Sequence, residues 1–122
     1  MQRDIDLIRE ILLNLEQKGA YTSWMEIDIE EYSPEQMDYH LELMIEAGLI
    51  SIRASQGGFS RHLPLRLAWA GHEFLDLARD TARWEKVQAS FKQAGGVPFE
   101  LLQATLAEMV EREAKAHLSA AK

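Results

Sequence analysis

One segment, from Ser33 to Ile50, restricts the fold of this chain more than any other. Ser33-Pro34-Glu35-Gln36 is typical of a helix start, because serine caps a helix, proline fits its first position and Gln36 completes a capping box. Gly48 predicts the end of this helix, since glycine tolerates the left-handed backbone found there. Between them, apolar residues recur at helical spacing: Met37, Leu41, Met44 and Ile45. The pattern predicts a helix over residues 34–47 that leads directly into a strand beginning at Leu49-Ile50.

The next twenty residues have the pattern of a β-hairpin followed by a helix. Gln56-Gly57-Gly58 predicts a turn, and a returning strand is indicated by the alternation of Leu63, Leu65, Leu67 and Trp69. A helix is predicted from Gly71, and the apolar spacing around it favours core positions for Trp24, Trp69 and Trp84.

The remaining segments are mostly helical. Apolar periodicity predicts a first helix over residues 4–18, and residues 20–32 are expected to be a loop followed by a short extended piece. Asp80-Thr81 indicates either a new helix or a bend, and the pattern leaves both open. A last helix is predicted from Pro98 and is expected to fray over its final residues.

The net charge of −7 is unevenly distributed along the 122 residues. Residues 1–47 contain twelve acids and three bases, whereas residues 48–70 contain three arginines and no acid. The chain has no cysteine, which excludes disulfides and thiolate chemistry. Its first residues are charged rather than typical of a signal peptide, and no apolar run approaches the ~20 residues of a membrane span. We therefore expect a cytoplasmic protein.

Two blocks of residues resemble the winged-helix proteins. Tyr39–Ile50 looks like their recognition helix and the start of the wing, and Leu67–Leu75 looks like the strand and helix that follow the wing. The resemblance implies a mainly α fold with a small β-hairpin. It further implies a winged helix-turn-helix domain over residues 1–78 and a C-terminal helical extension over residues 79–122, packed on the same core as a single domain.

A closer resemblance extends over most of the chain. It rests on the Arg3-Asp4 start, the Tyr39–Ile50 block, Trp69 with the residues from Gly71 to Asp76, and Trp84. These residues are similar to an uncharacterised family of small bacterial and prophage proteins, a domain of unknown function. Ala68 and Ala70 stand where that family has Thr and Glu, which removes a helix cap.

The resemblance to winged-helix proteins implies DNA binding and transcription regulation. In DNA-binding winged-helix proteins the helix before the wing enters the major groove. Seven residues are expected on the solvent side of this helix: Glu35, Gln36, Asp38, Tyr39, Glu42, Leu43 and Glu46. Four of them are acids and none is a base, and carboxylates beside phosphates oppose docking on DNA. The wing instead has four basic residues, Arg53, Arg61, His62 and Arg66. Basic side chains are suited to contact the DNA backbone or the minor groove. Balancing the acidic half of the chain would explain these basic residues equally well.

A protein-binding module is the alternative function. Tyr39 and Leu43 on an acidic helix would form a contact patch, and a prophage setting suits a modulator of a host or phage protein. In either case Leu101 and Val110 of the last helix are candidates for a homodimer contact.

The sequence predicts no enzyme. No histidine pair has the spacing of a zinc helix, and the Gly-Gly pairs lack a P-loop lysine and a dinucleotide fingerprint. His72 and Asp76 are four residues apart, which indicates a local helix contact. His40 is expected to pack or to bond a backbone group. We therefore predict no catalytic, cofactor or metal residues.

Overall fold

The computed structural model describes residues 1–53 and 64–120. Within these residues the chain forms five α-helices, a three-residue 3-10 helix and a small antiparallel sheet. The helices are α1 Ile5–Gln17, α2 Pro34–Glu46, α3 Trp69–Ala78, α4 Thr81–Gln93 and α5 Phe99–Ala120. The strands are β1 Thr22–Ser23, β2 Ile50–Ile52 and β3 Pro64–Leu67, and the 3-10 helix is Trp24–Glu26. The prediction of a mainly helical fold with a small β component is confirmed.

The chain divides into two compact units, Met1–Leu75 and Asp76–Lys122. The division lies within α3. The first unit contains α1, α2 and the sheet, and the second contains α4 and α5.

The start of α1 is linked to α2 through Asp4 and His40. The Asp4 carboxylate caps α1 by accepting from the Leu7 N–H at 3.2 Å, while the Asp4 N–H donates to His40 Nε2 at 2.8 Å. His40 is 1% exposed, and its Nδ1 lies 2.8 Å from the Gln36 carbonyl oxygen. Because Nε2 accepts, Nδ1 is the nitrogen that donates. The prediction that His40 bonds a backbone group is confirmed.

Both ends of α2 follow from the residues that predicted them. Ser33 Oγ accepts from the Gln36 N–H at 3.1 Å, and Gln36 Oε1 accepts from the Ser33 N–H at 2.9 Å, so the capping box is complete. Gly48 has φ +77°, and the Leu49 N–H reaches back to the Met44 carbonyl at 2.9 Å. The chain therefore enters β2 immediately after α2.

The sheet has the order β1-β3-β2, with Thr22 opposite Leu65, Ile50 opposite Leu67 and Ser51 opposite Arg66. One face lies on the core of the first unit, where Thr22, Ile50, Leu65 and Leu67 are buried with the apolar side chains of α1 and α2. Only two strands were predicted. In residues 20–32, for which a loop and a short extended piece were expected, the chain forms β1 after an irregular start and then a 3-10 helix that was not predicted.

The assignment of Trp69 to the returning strand and to the core was also wrong. Trp69 is the first residue of α3 and is 81% exposed, whereas Trp24 and Trp84 are buried as predicted. The Ala68 N–H still donates to the Leu49 carbonyl at 2.9 Å, in register with the β2–β3 pairs, while the Ala68 carbonyl accepts from the His72 N–H at 3.1 Å. The helix α3 therefore begins directly after this bond of the ladder. Gly71 lies so close to the backbone of Leu49 that a Cβ at position 71 would stand 2.2 Å from the Leu49 carbonyl oxygen.

In the second unit α4 packs against α5. Asp80 caps α4 by accepting from the Arg83 N–H at 2.8 Å, so Asp80-Thr81 starts a new helix rather than a bend. Arg83 binds Glu113 through Nε at 3.4 Å and Nη2 at 2.5 Å, and its Nη1 donates to the Leu77 carbonyl at 3.0 Å. The hydrogen bond that Arg83 donates to Glu113 raises the pKa of Arg83. The helix α5 continues to Ala120, so the prediction of fraying over residues 114–120 was wrong.

Candidate binding surfaces

The face of the sheet directed away from the core is cationic and aromatic. Side chains alternate between the two faces of a strand, and Arg66 is exposed between the buried Leu65 and Leu67. The guanidinium of Arg53, just beyond β2, lies 5.4 Å from the ring centroid of Tyr21, which precedes β1. We call Tyr21, Arg53 and Arg66, with the partly exposed Ser23 and Ser51, the outer sheet face.

Two of the four predicted wing contacts are therefore brought to the same surface. Arg53 and Arg66 both belong to the outer sheet face, whereas Arg61, His62 and the predicted turn at Gln56–Gly58 lie outside the described residues. Tyr21 was not predicted from the sequence. Its segment shows no apolar period, and a two-residue strand is too short to produce one.

The helix α2 presents the opposite charge. Glu35, Tyr39, Glu42 and Glu46 are exposed at a spacing of three or four residues, so they form one stripe along the helix, which we call the acidic stripe. The Tyr39 ring meets His40 edge to face, with 5.8 Å between the ring centroids. This pattern agrees with the acidic solvent side that the sequence predicted.

Three other residues predicted for this surface are partly buried. Gln36 completes the capping box, and Asp38 accepts from the Trp24 indole N–H at 2.7 Å, which satisfies the buried tryptophan. Leu43 is half-buried. Gln36 and Asp38 thus stabilise the fold around α2. The capping role of Gln36 was predicted from the sequence, whereas the bond between Asp38 and Trp24 was not.

Tyr32 lies in the loop before α2 and interacts with the start of α1. Burial, the negative charge of Asp4 and a hydrogen bond to Asp4 raise the pKa of Tyr32 to about 12. The same carboxylate therefore caps α1 and accepts from the Tyr32 hydroxyl.

Residues 1–53 and 64–120 contain no group of three or more His, Cys, Asp or Glu side chains arranged to hold a metal ion. The Asp76 carboxylate, whose spacing predicted a contact with His72, accepts from Arg79 Nη1 at 3.1 Å. None of the helices in the described part of the chain combines the length and the hydropathy that a membrane crossing requires.

The predicted dimer contact lies on α5. Leu101 and, nearer the end of the helix, Leu118 are exposed, whereas Val110 is half-buried. The homodimer remains a prediction.

Comparison with known proteins gives a family. Residues 2–98 match the model of the family described as Hypothetical protein (DUF2513). An uncharacterised protein of Haemophilus influenzae is 36% identical over 94 residues, which cover 75% of this chain and 80% of the relative. No solved structure matches the chain. The chain belongs to the DUF2513 family.

Proposed function

We propose that the chain is a winged-helix module that binds the phosphate backbone of DNA through the outer sheet face, in the role of a bacterial or prophage transcription regulator. The order α1, β1, α2, β2, β3 and the central position of β3 support a winged helix. The three-residue 3-10 helix stands where a helix-turn-helix motif has its first helix. This departure, together with the acidic stripe, speaks against α2 as the element that enters the major groove.

The observation on which the proposal rests is the charge of the outer sheet face. Arg53 and Arg66 share this face with Tyr21, and the described residues that form it include no acid. Arginines neutralise phosphates without reading sequence, and such contacts supply most non-specific affinity for DNA. The proposal therefore predicts weak, salt-dependent binding with little preference for sequence.

The experiment is a fluorescence-anisotropy titration of a labelled random duplex at several salt concentrations. Each phosphate contact removed lowers the slope of log K against log salt by about 1, so Arg53→Ser and Arg66→Ser should each do so. Arg112→Ser is the matched control, because Arg112 is an exposed arginine of α5 that pairs only locally with Glu108. Equal slopes for the wild type and both sheet variants, or no duplex binding at low salt, would contradict the proposal.

A second function is favoured by the acidic stripe. In that case the chain binds a basic protein, with Tyr39 as the central contact between the carboxylates of Glu35, Glu42 and Glu46. A pull-down from the source bacterium with wild type, Glu42→Lys and Arg66→Ser separates the two functions. A partner that Glu42→Lys loses and Arg66→Ser retains would support protein binding, and a partner retained by Glu42→Lys would contradict it.

A further inference from the structure

A cleft of about 340 Å³ opens in the first unit between the end of α1, the end of β3 and the first turn of α3. Leu15 and Leu67, both buried, belong to its lining and give it an apolar part. The volume is at the lower end of the roughly 300–1,000 Å³ typical of ligand sites. The cleft is therefore large enough for one small molecule.

Three residues with nitrogen-containing side chains line this cleft, each from a different element: Lys18 at the end of α1, Arg66 of β3 and His72 of α3. Among the residues that line it, Glu16 is the one acid. Within the described ranges Arg66 forms no ion pair. The Lys18 ammonium group donates one N–H to the Glu26 carbonyl and has further N–H donors for a ligand. In a chain of net charge −7, this is a local site for an anion.

The chemistry of the cations favours a phosphate. The planar guanidinium of Arg66 can bind two phosphate oxygens at once, and Lys18 adds a compact charge. Glu16 and the carbonyl groups at the end of α1 oppose an anion, since a helix C-terminus has a partial negative charge. The ligand must therefore gain further energy from another part of the cleft.

Tyr21 is the part of the cleft that can supply this further binding energy. Tyr21 lines the same cleft and is 46% exposed, and the Arg53 guanidinium lies 5.4 Å from the centroid of its ring. An exposed aromatic ring beside cations is suited to stacking on a nucleobase. We propose that the cleft binds a free nucleoside monophosphate, whose phosphate contacts Arg66, Lys18 and His72 and whose base stacks on Tyr21.

This proposal goes beyond DNA binding and does not require it, because Lys18 and His72 lie outside the outer sheet face. The experiment is isothermal titration calorimetry of the full chain with AMP, adenosine and inorganic phosphate. We expect AMP to bind more tightly than either fragment. Equal affinity for AMP and phosphate would refute the stacking, and equal affinity for AMP and adenosine would refute the phosphate site.

Variants of the lining residues test the assignment. Loss of a charge-assisted contact should weaken AMP binding about tenfold in Lys18→Met and in Arg66→Gln. Tyr21→Phe should bind like the wild type, and Tyr21→Leu should bind more weakly. Glu16→Gln should tighten binding severalfold, a gain that misfolding cannot produce. Unchanged binding in Lys18→Met and Glu16→Gln would overturn the proposal.

Two controls separate this site from the proposed function and from a nucleic-acid strand. Lys18→Met should retain the wild-type salt slope for duplex DNA, while Arg112→Gln should leave AMP binding unchanged. AMP binding by a chain that binds no duplex would support the cleft and refute the proposed function. Binding of a short oligodeoxyadenylate that Lys18→Met weakens and Glu16→Gln tightens, without binding of AMP, would overturn the free-nucleotide proposal.

Discussion

The substitution Gly71→Ala should destabilise the first unit, because at Gly71 the helix α3 lies against the backbone of Leu49, just after α2. A Cβ at this position would stand 2.2 Å from the Leu49 carbonyl oxygen, whereas ordinary contact begins at 3.4 Å. The obstacle is backbone rather than a flexible side chain, so no change of rotamer relieves it. The helix α3 would have to move away by roughly 1 Å.

The expected cost follows from three effects. Overpacking of this kind typically costs about 1–3 kcal/mol. Movement of α3 also weakens the 2.9 Å hydrogen bond from the Ala68 N–H to the Leu49 carbonyl, which contributes about 1 kcal/mol. Replacing glycine by alanine inside a helix returns about 1 kcal/mol through backbone entropy. We therefore expect the free energy of unfolding to fall by about 2 kcal/mol.

The assay is urea unfolding followed by circular dichroism and tryptophan fluorescence. In a Trp84→Phe background the fluorescence reports Trp24 and Trp69, both of which belong to the first unit. The midpoint should fall without a change in the m-value, which depends on the surface exposed on unfolding.

Gly48 provides the matched control. Gly48 has φ +77°, and a Cβ added there would meet nothing within 4 Å, so Gly48→Ala should cost about 1 kcal/mol through backbone strain alone. Gly48→Asn should recover part of that loss, because asparagine tolerates this backbone. Gly71→Ser should recover nothing, since its Cβ meets the same oxygen. Wild-type or higher stability of Gly71→Ala would refute the close approach of α3 to Leu49.

Three further predictions concern polar contacts inside the first unit. Asp38→Ala should cost about 1–3 kcal/mol in urea unfolding, because it leaves the buried Trp24 indole N–H without its acceptor, while Asp38→Asn should cost less. His40→Leu fills similar space but removes the acceptor of the Asp4 N–H, so a loss of similar size is expected, and wild-type stability would contradict it. In an ultraviolet titration one tyrosine should ionise near pH 12 and disappear in Tyr32→Phe. The folded state holds this proton more tightly than the unfolded state. The stability that Tyr32 contributes should therefore be complete below pH 10 and lost between pH 10 and about 12. Asp4→Asn should lower the pKa of Tyr32.

The elements that could be predicted from sequence are those whose ends are determined locally. Ser33 and Gln36 start α2 and Gly48 ends it, because each acts on backbone groups within a few residues. At Asp80 the sequence left a new helix and a bend both open, and the structure has the helix. Trp69 shows the limit of this approach. An alternation of apolar residues continues to Trp69, but α3 begins at this residue, directly after Ala68 bonds the Leu49 carbonyl, and the alternation does not show where the strand pairing stops.

The candidate sites were predictable only in part, for the same reason. Arg53 and Arg66 were predicted as basic residues of the wing, and the pairing of β2 with β3 accounts for their common face. Tyr21 and Lys18 reach the same region only after β1 pairs with β3, and this pairing joins residues more than forty positions apart. Asp38 was assigned to a binding surface because spacing on a helix reports exposure and not the partner that a side chain finds across the fold.

The number of cations limits what the outer sheet face can do alone. Arg53 and Arg66 would neutralise about two phosphates, whereas proteins whose affinity depends strongly on salt typically make roughly 6–10 such contacts. The acidic stripe opposes the approach of DNA, although charges more than about 8 Å apart are largely screened at physiological salt. A monomer with two such contacts would bind a duplex too weakly to choose a site, while two copies on one duplex double the contacts. The proposed function as a regulator therefore requires self-association, so light scattering of the wild type beside Leu101→Asp tests both proposals at once. A monomer at high concentration would leave the outer sheet face with too few contacts for regulation, and a dimer that Leu101→Asp dissociates would place the contact on α5.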